Sequence, residues 1–190
     1  MQQIRTISTR QWIIIAALVI LAAAILLAMG RTPICTCGTV KLWHGVVHSS
    51  GNSQHLSDWY SFSHAIHGML FFALLRWALP RQSAGVLLIL ATLIEAAWEI
   101  AENTPMVIDR YRAATAAVGY SGDAVINSVS DIGMMVLGFL FAMRVPWRVW
   151  AATAIAFELF TLFMIRDNLT LNVLMLVWPI DAIHDWQGAL

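Results

Sequence analysis

The sequence is short of charge. Asp, Glu, Lys and Arg make up only 12% of its 190 residues, against roughly 25% in an ordinary soluble domain. Its formal net charge is zero, which excludes the general basic surface that nucleic-acid binding needs. It has two cysteines, Cys35 and Cys37, too few for a disulfide scaffold. Their two-residue separation is a poor match to ordinary disulfide geometry and fits no standard zinc spacing, so the sequence leaves their redox state open. There is no Pro/Ser-rich linker and no low-complexity tract, which argues for one domain. The lack of an internal inverted repeat weighs against a familiar secondary-transporter plan.

What the chain has instead is apolar residues, 59% of the total, with a mean hydropathy of +0.72. Several runs approach the ~20 residues that a helix needs to cross a bilayer. The expected fold is an all-α, polytopic membrane helical bundle of about five transmembrane helices. Spans are expected at about 12–29, 62–79, 84–102, 124–143 and 148–165, with a polar outer loop over 31–60 and a charged outer loop before 122. The first run follows Arg5 and Arg10 and is longer than the apolar core of a secretory signal, so it reads as an uncleaved span. The apolar stretch Leu169–Trp178 is short and ends at Pro179, which predicts a re-entrant or interfacial C-terminal helix.

With the N-terminus cytoplasmic, Arg5, Arg10, Arg76, Arg81, Arg144 and Arg148 lie inside, and Arg31, Lys41, Arg110, Arg112 and Arg166 outside. All eleven acidic residues and all six histidines then fall on the outer side. Helix periodicity gathers many of them into stripes. His64 and His67 share a face of the second span, Glu95, Glu99 and Glu102 a face of the third, and Asp123, Asn127 and Asp131 a face of the fourth. From the helical rise, His64, Glu102 and Asp123 lie near the boundary. His67, Glu99 and Asn127 lie about 5–7 Å deeper, and Glu95 and Asp131 about 10–12 Å deep. Glu158 of the fifth span is expected at a similar depth.

Ionisable groups are expensive at such depth and mark sites or pathways. Carboxyls persist there if protonated, if paired with imidazolium or a folded-in Arg, or if bound to a cation. The bland alternative is a satisfied network that locks helices together, with Ser63, Ser128 and Ser130 as members. Near the boundary, Arg110 and Arg112 suit an anionic head group. Asp123, just after Gly119–Gly122, suits a helix cap or a helix start that receives a phosphate. Asp181, His184 and Asp185 either return to the site or form a solvated tail. Trp12, Trp43, Trp59, Trp147 and Trp178 fall near expected helix ends, as interfacial anchors do.

The segments ICTCGTVKLW (34–43), SSGNSQHLSDWYSFSHAIHG (49–68), EAAWEIAENTP (95–105), DRYR (109–112), GYSGDAVINSVSDI (119–132) and IRDNLTLNV (165–173) resemble an uncharacterised family of bacterial multi-pass inner-membrane proteins that carries only a domain-of-unknown-function label. The resemblance covers nearly the whole chain and brings no activity with it. A looser resemblance is to VanZ-like membrane proteins, with His64 or His67, Glu95 with Glu99, and Asp123, Asn127 and Gly133 in the matching places. It implies a role in the cell envelope. Glu99 in place of an amide, the additional Asp131 and a longer first outer loop depart from that pattern.

The leading expectation is a small intramembrane enzyme at the periplasmic face of the inner membrane. It would act on a membrane lipid or lipid-linked substrate by hydrolysis or group transfer. His64, His67, Glu99 and Asp123 are the expected ligands of a divalent metal of the Zn or Mg/Mn class. Glu95, Glu102, Asn127 and Asp131 are the expected catalytic groups, and Arg110 and Arg112 the substrate-binding ones. Competing expectations are a proton or cation transporter and a structural or assembly protein. Against transport, the cytoplasmic halves read IGMMVLGFLFAM (132–143) and GVLLILATLI (85–94), almost without polar groups.

Overall fold

The computed structural model describes residues 6–115 and 120–189. Arg5, counted with the inner arginines, and Gly119, which leads toward Asp123, lie outside them. The described residues form eight helices: α1 (Thr9–Ala28), α2 (Ser61–Ala78), α3 (Ala84–Glu102), α4 (Pro105–Ala114), α5 (Val125–Arg144), α6 (Trp147–Ile165), α7 (Leu169–Val177) and α8 (Asp181–Gly188). No strand occurs among them. The protein is a helical membrane bundle, in which α1, α3, α5 and α6 are long and apolar enough to cross a bilayer.

α2 is not among those four, because His64, His67 and three serines or glycines dilute its apolar content. It is nevertheless central, packing along α5 and touching α3 and α6. Small residues let it in. A Cβ at Gly68 would overlap the Met135 carbonyl, and one at Gly138 would overlap the carbonyl of Ala65. The two backbones therefore meet reciprocally, as at small-residue membrane interfaces. Below this contact Leu87, Leu88, Ala91, Ile132, Met135 and Phe139 form an apolar core with almost no exposure.

Local chemistry sets the helix ends. Ser8 and Gln11 form a reciprocal capping box at the start of α1, and Ser83 caps α3 by accepting from the Val86 N–H. Gln11 Nε2 reaches Ser83 Oγ at 3.4 Å, so both helices start at the same end of the bundle. That end also carries the α2–α3 and α5–α6 turns and holds Arg10, Arg76, Arg81, Arg144 and Arg148, with no acidic residue. All the acids belong to the other end.

The polar end is more folded than its sequence suggests. The expected charged loop after α3 contains α4, started by Pro105 at its first turn, a position where the missing N–H costs nothing. The loop over 31–60 has no regular structure, yet His55, Asp58, Ser53 and Gln54 within it are buried. It satisfies the open N-terminus of α5: Val125 N donates to the Thr32 carbonyl at 2.8 Å and Ile126 N to Pro33 at 3.2 Å. Asp123 therefore does not cap that helix; the cap position is Ala124, with no side-chain bond. Cys35 and Cys37 are joined in a disulfide, with Cα atoms 5.1 Å apart. That separation lies inside the ordinary range and overrides the expectation drawn from their spacing.

At the C-terminus α7 has nine residues, too few to span. Glu158 does not join the polar cluster as expected. Its carboxylate caps α7, accepting from Leu169 N at 2.9 Å and from Thr170 N at 3.1 Å. α8 returns to the same end, where Arg166 Nη1 donates to the Trp186 carbonyl and Gln187 Nε2 to Asp167.

The α2–α5 contact makes a direct prediction. Gly138→Val should destabilise the detergent-solubilised protein by about 2–3 kcal/mol, whereas Gly133→Ala, with open space around it, should not. Thermal unfolding of the two variants side by side checks this; equal midpoints would contradict the packing described.

Candidate functional site

Three helices bring the stripes together at the polar end. Glu95 of α3 has no exposure, and both its oxygens face imidazoles of α2. His64 Nδ1 lies 2.5 Å from Glu95 Oε1, and His67 Nδ1 lies 3.2 and 3.1 Å from the two oxygens. With Glu95 accepting both Nδ1–H bonds, Nε2 is the lone-pair nitrogen of whichever ring is neutral. Glu99, one turn along, puts Oε1 3.4 Å from His64 Nδ1. That oxygen is buried and has no hydrogen-bond partner. Asp131 of α5 closes the group, with Oδ2 3.9 Å from His64 Nε2 and Oδ1 accepting from Ser61 Oγ at 3.0 Å.

Potential ligand atoms fall into two overlapping trios, each within 4.8 Å: His64, His67 and Glu95, and His64, Glu99 and Glu102. Asp123 is in neither. It is held by Asn103, which donates to Asp123 Oδ2 at 2.9 Å and accepts from the Asp123 N–H at 2.7 Å. Tyr120 Oη donates to its other oxygen at 2.8 Å. Burial pushes the Asp123 carboxyl above its ordinary value, against the pull of those two hydrogen bonds. Asn127 donates from Nδ2 to the His55 carbonyl at 2.9 Å and so ties the outer loop to α5.

A cavity of about 60 Å³ lies against this cluster, room for about four or five water-sized groups. His64, His67, Glu102, Asp123, Asn127 and Asp131 line it, so six of the ten expected site residues face one space. Its remaining wall comes from the outer loop (Asn52, Ser53, Tyr60), from Ser63 of α2, from α3 and α4 (Trp98, Tyr111) with Thr115 just after α4, from Tyr120, and from α7 (Leu169, Asn172, Val173). Arg110 and Arg112 are absent from the lining. Arg110 Nε instead donates to the Leu176 carbonyl at 2.8 Å, closing the end of α7, and Arg112 Nε donates to Tyr120 O at 2.5 Å. Asp181 and Asp185 are exposed, and His184 pairs only with Asp185, at 3.7 Å.

Sequence reasoning missed several members of the site. Asn103 lies four residues after Glu99 and continues its stripe, a signal that was readable. Asp58 accepts from the N–H groups of Ser53 and Tyr60 at 3.0 and 2.8 Å, and burial pushes its carboxyl up. All three tyrosines of the chain, Tyr60, Tyr111 and Tyr120, line the cavity. Nothing in their spacing announces that, because they come from three separate segments.

A family model described as "Protein of unknown function (DUF2585)" matches residues 26–189. The chain belongs to that family. Among its relatives, a UPF0314 protein of Sphingopyxis alaskensis is 64% identical over 96% of this chain and 97% of its own length. Another, of Novosphingobium aromaticivorans, is 59% identical over 86% and 85%. A third, of Sinorhizobium fredii, is 58% identical over 96% and 93%. No solved structure matches the chain. These matches place the chain among uncharacterised bacterial proteins; the VanZ-like resemblance rests on residue pattern alone.

The loop between α6 and α7 generates a pH prediction. Burial holds Asp167 up at about 6, above the ordinary 3.8, although Asn168, Tyr60, Asn172 and Gln187 all hydrogen-bond to it. A carboxyl raised on folding binds a proton that the unfolded chain releases. Stability therefore falls as pH rises from about 4 to about 6, by up to about 3 kcal/mol. Asp167→Asn should flatten that slope in thermal unfolding curves recorded across the window; an unchanged slope would assign it elsewhere.

Proposed function

We propose that this protein is a small intramembrane enzyme whose site binds a divalent metal and acts on a lipid or lipid-linked substrate by hydrolysis or group transfer. One observation carries the reading: the Glu99 oxygen, buried without a hydrogen-bond partner, beside His64 and Glu102 in a trio of ligand atoms. A buried unpaired carboxylate oxygen is costly, and a cation in that trio removes the cost. His64, Glu99 and Glu102 are the ligands in this reading. Glu95 holds His64 and His67 in one tautomer, as carboxylates do behind metal-bound imidazoles. A Zn or Mg/Mn-class ion there supplies a Lewis acid and a more acidic water. Asp131, bonded to Ser61 and facing the cavity, is placed to accept a proton. Asn127 and Asp123 shape the wall.

The basic end, with five described arginines and no acid, fits the cytoplasmic face of a bacterial inner membrane. The Cys35–Cys37 disulfide at the opposite end fits the oxidising periplasm. A structural reading has the Asn103–Asp123 pair in its favour, since that part of the cluster is fully bonded. Transport is disfavoured by the solid apolar core beneath Glu95 and Asp131.

Two measurements test the reading together. Protein purified without chelator should hold about one divalent ion per chain, lost in Glu99→Gln and Glu102→Gln and kept in Asp123→Asn. In liposomes of total bacterial lipid, the metal-loaded wild type should alter the lipid profile and Asp131→Asn should leave it unchanged. A folded, metal-free wild type that alters no lipid would overturn the proposal.

A further inference from the structure

The carboxyls and tyrosines of the cavity wall offer acceptors and aromatic rings where an anionic guest would need cationic donors. Glu102, Asp123 and Asp131 line it, and no Lys or Arg does. The arginines of this end are turned to backbone carbonyls: Arg31 to Ser121, Arg110 to Leu176, Arg112 to Tyr120 and Arg166 to Trp186. The tyrosine hydroxyls give their hydrogens elsewhere too. Tyr60 donates to Asp167 at 3.1 Å, Tyr111 to Asn172 Oδ1 at 2.9 Å and Tyr120 to Asp123 at 2.8 Å. A phenol whose O–H is already donated presents only lone pairs and ring to a guest. Tyr111 and Tyr120 stand edge to face, 5.5 Å between centroids.

Carboxyl groups here also outnumber those that one divalent ion engages. Glu95, Glu99, Glu102, Asp123 and Asp131 gather around two histidines, and Asp58 lies buried close by. The Glu99 oxygen that lacks a hydrogen bond is buried behind that wall, 3.4 Å from His64 Nδ1. A guest suited to such a wall brings N–H donors and positive charge, and aromatic faces add cation–π attraction.

Building on the metal-site reading, we infer that the cavity receives the primary alkylammonium end of a lipid head group, held by the Glu102, Asp123 and Asp131 carboxylates against Tyr111 and Tyr120. The volume of about 60 Å³ suits an aminoethyl terminus of three heavy atoms with a water or two. A lipid source follows from the remaining wall. Leu169 and Val173 of α7 line the cavity, and Val173 is 48% exposed on a short apolar helix at the membrane face. The head group thus enters past α7, with its acyl chains left in the bilayer. None of the four arginines of this end lines the cavity, so the amine, not the phosphate, is what the wall selects.

The test uses the full chain in detergent and short-chain diacyl phospholipids that differ only in head group, with binding followed by tryptophan fluorescence. The aminoethyl lipid should bind roughly tenfold more tightly than its glycerol counterpart. It should also bind more tightly than the trimethylammonium lipid, which lacks N–H donors, and than ethylamine alone. Asp123→Asn and Tyr111→Leu should abolish the head-group preference. Equal or tighter binding of the glycerol lipid would overturn the inference, without recourse to any variant. Preference for the trimethylammonium lipid would overturn the primary-amine assignment, and ethylamine binding as tightly as the lipid would overturn the lipid source. Metal content measured on the same samples separates this from the enzyme reading. Bound metal without head-group preference sinks this inference alone, and head-group preference without metal sinks the metal site alone.

Discussion

Glu95 sits at the centre of three helices with no exposure, where the apolar run of α3 from Ala84 to Ile94, broken only by Thr92, gives way to its stripe of carboxyls. Its two oxygens are the natural acceptors for His64 and His67, and those two imidazoles are much of what makes α2 too polar to stand among lipids alone. Each side of the contact removes the cost of the other: the histidines supply donors to a buried carboxylate, and the carboxylate gives the histidines a reason to face inward. Once α2 is drawn between α3, α5 and α6, the Gly68–Gly138 approach becomes available and the backbones close. The polar end is organised around that contact. Asp131 meets His64 from α5, Asn127 anchors the outer loop, and the loop in turn satisfies the first turn of α5.

The end opposite the site is an apolar core bounded by arginines, and the contrast gives the molecule a direction. The cavity has carboxyls in its wall and a packed apolar core beneath it. α7 contributes three residues to that wall, and both the Glu158 cap and the Arg110 cap serve to hold this nine-residue helix in place. A change in the seat of α7 would therefore be felt at the cavity.

Periodicity alone located the long helices and their polar stripes, because a hydrophobic run of about 20 residues and an i, i+4 repeat of carboxyls are local properties. α4 escaped because it has only ten residues, three of them charged, and it docks against α7. The outer loop read only as polar because Ser, Asn, His and Gly compose it, and its buried polar groups are satisfied by distant partners such as Gln54 Nε2, which donates to the Gly122 carbonyl at 2.8 Å. Depth counted along a helix put Glu158 with the other deep carboxyls. It could not foresee that the chain folds back and presents the start of α7 beside it, where the Leu169 and Thr170 N–H groups remain open after Asn168 has capped Leu171. Arg110 and Arg112 carry the right chemistry for a phosphate and are occupied by carbonyls that only the tertiary fold brings near.

The central claim is that the His64–Glu99–Glu102 group is a metal site rather than an acidic knot, and X-ray absorption at the zinc edge of the zinc-loaded protein tests it most directly. The account predicts a shell of nitrogen and oxygen alone at about 2.0–2.1 Å, with imidazole scattering that disappears in His64→Ala. Imidazole scattering that persists unchanged in His64→Ala would contradict it.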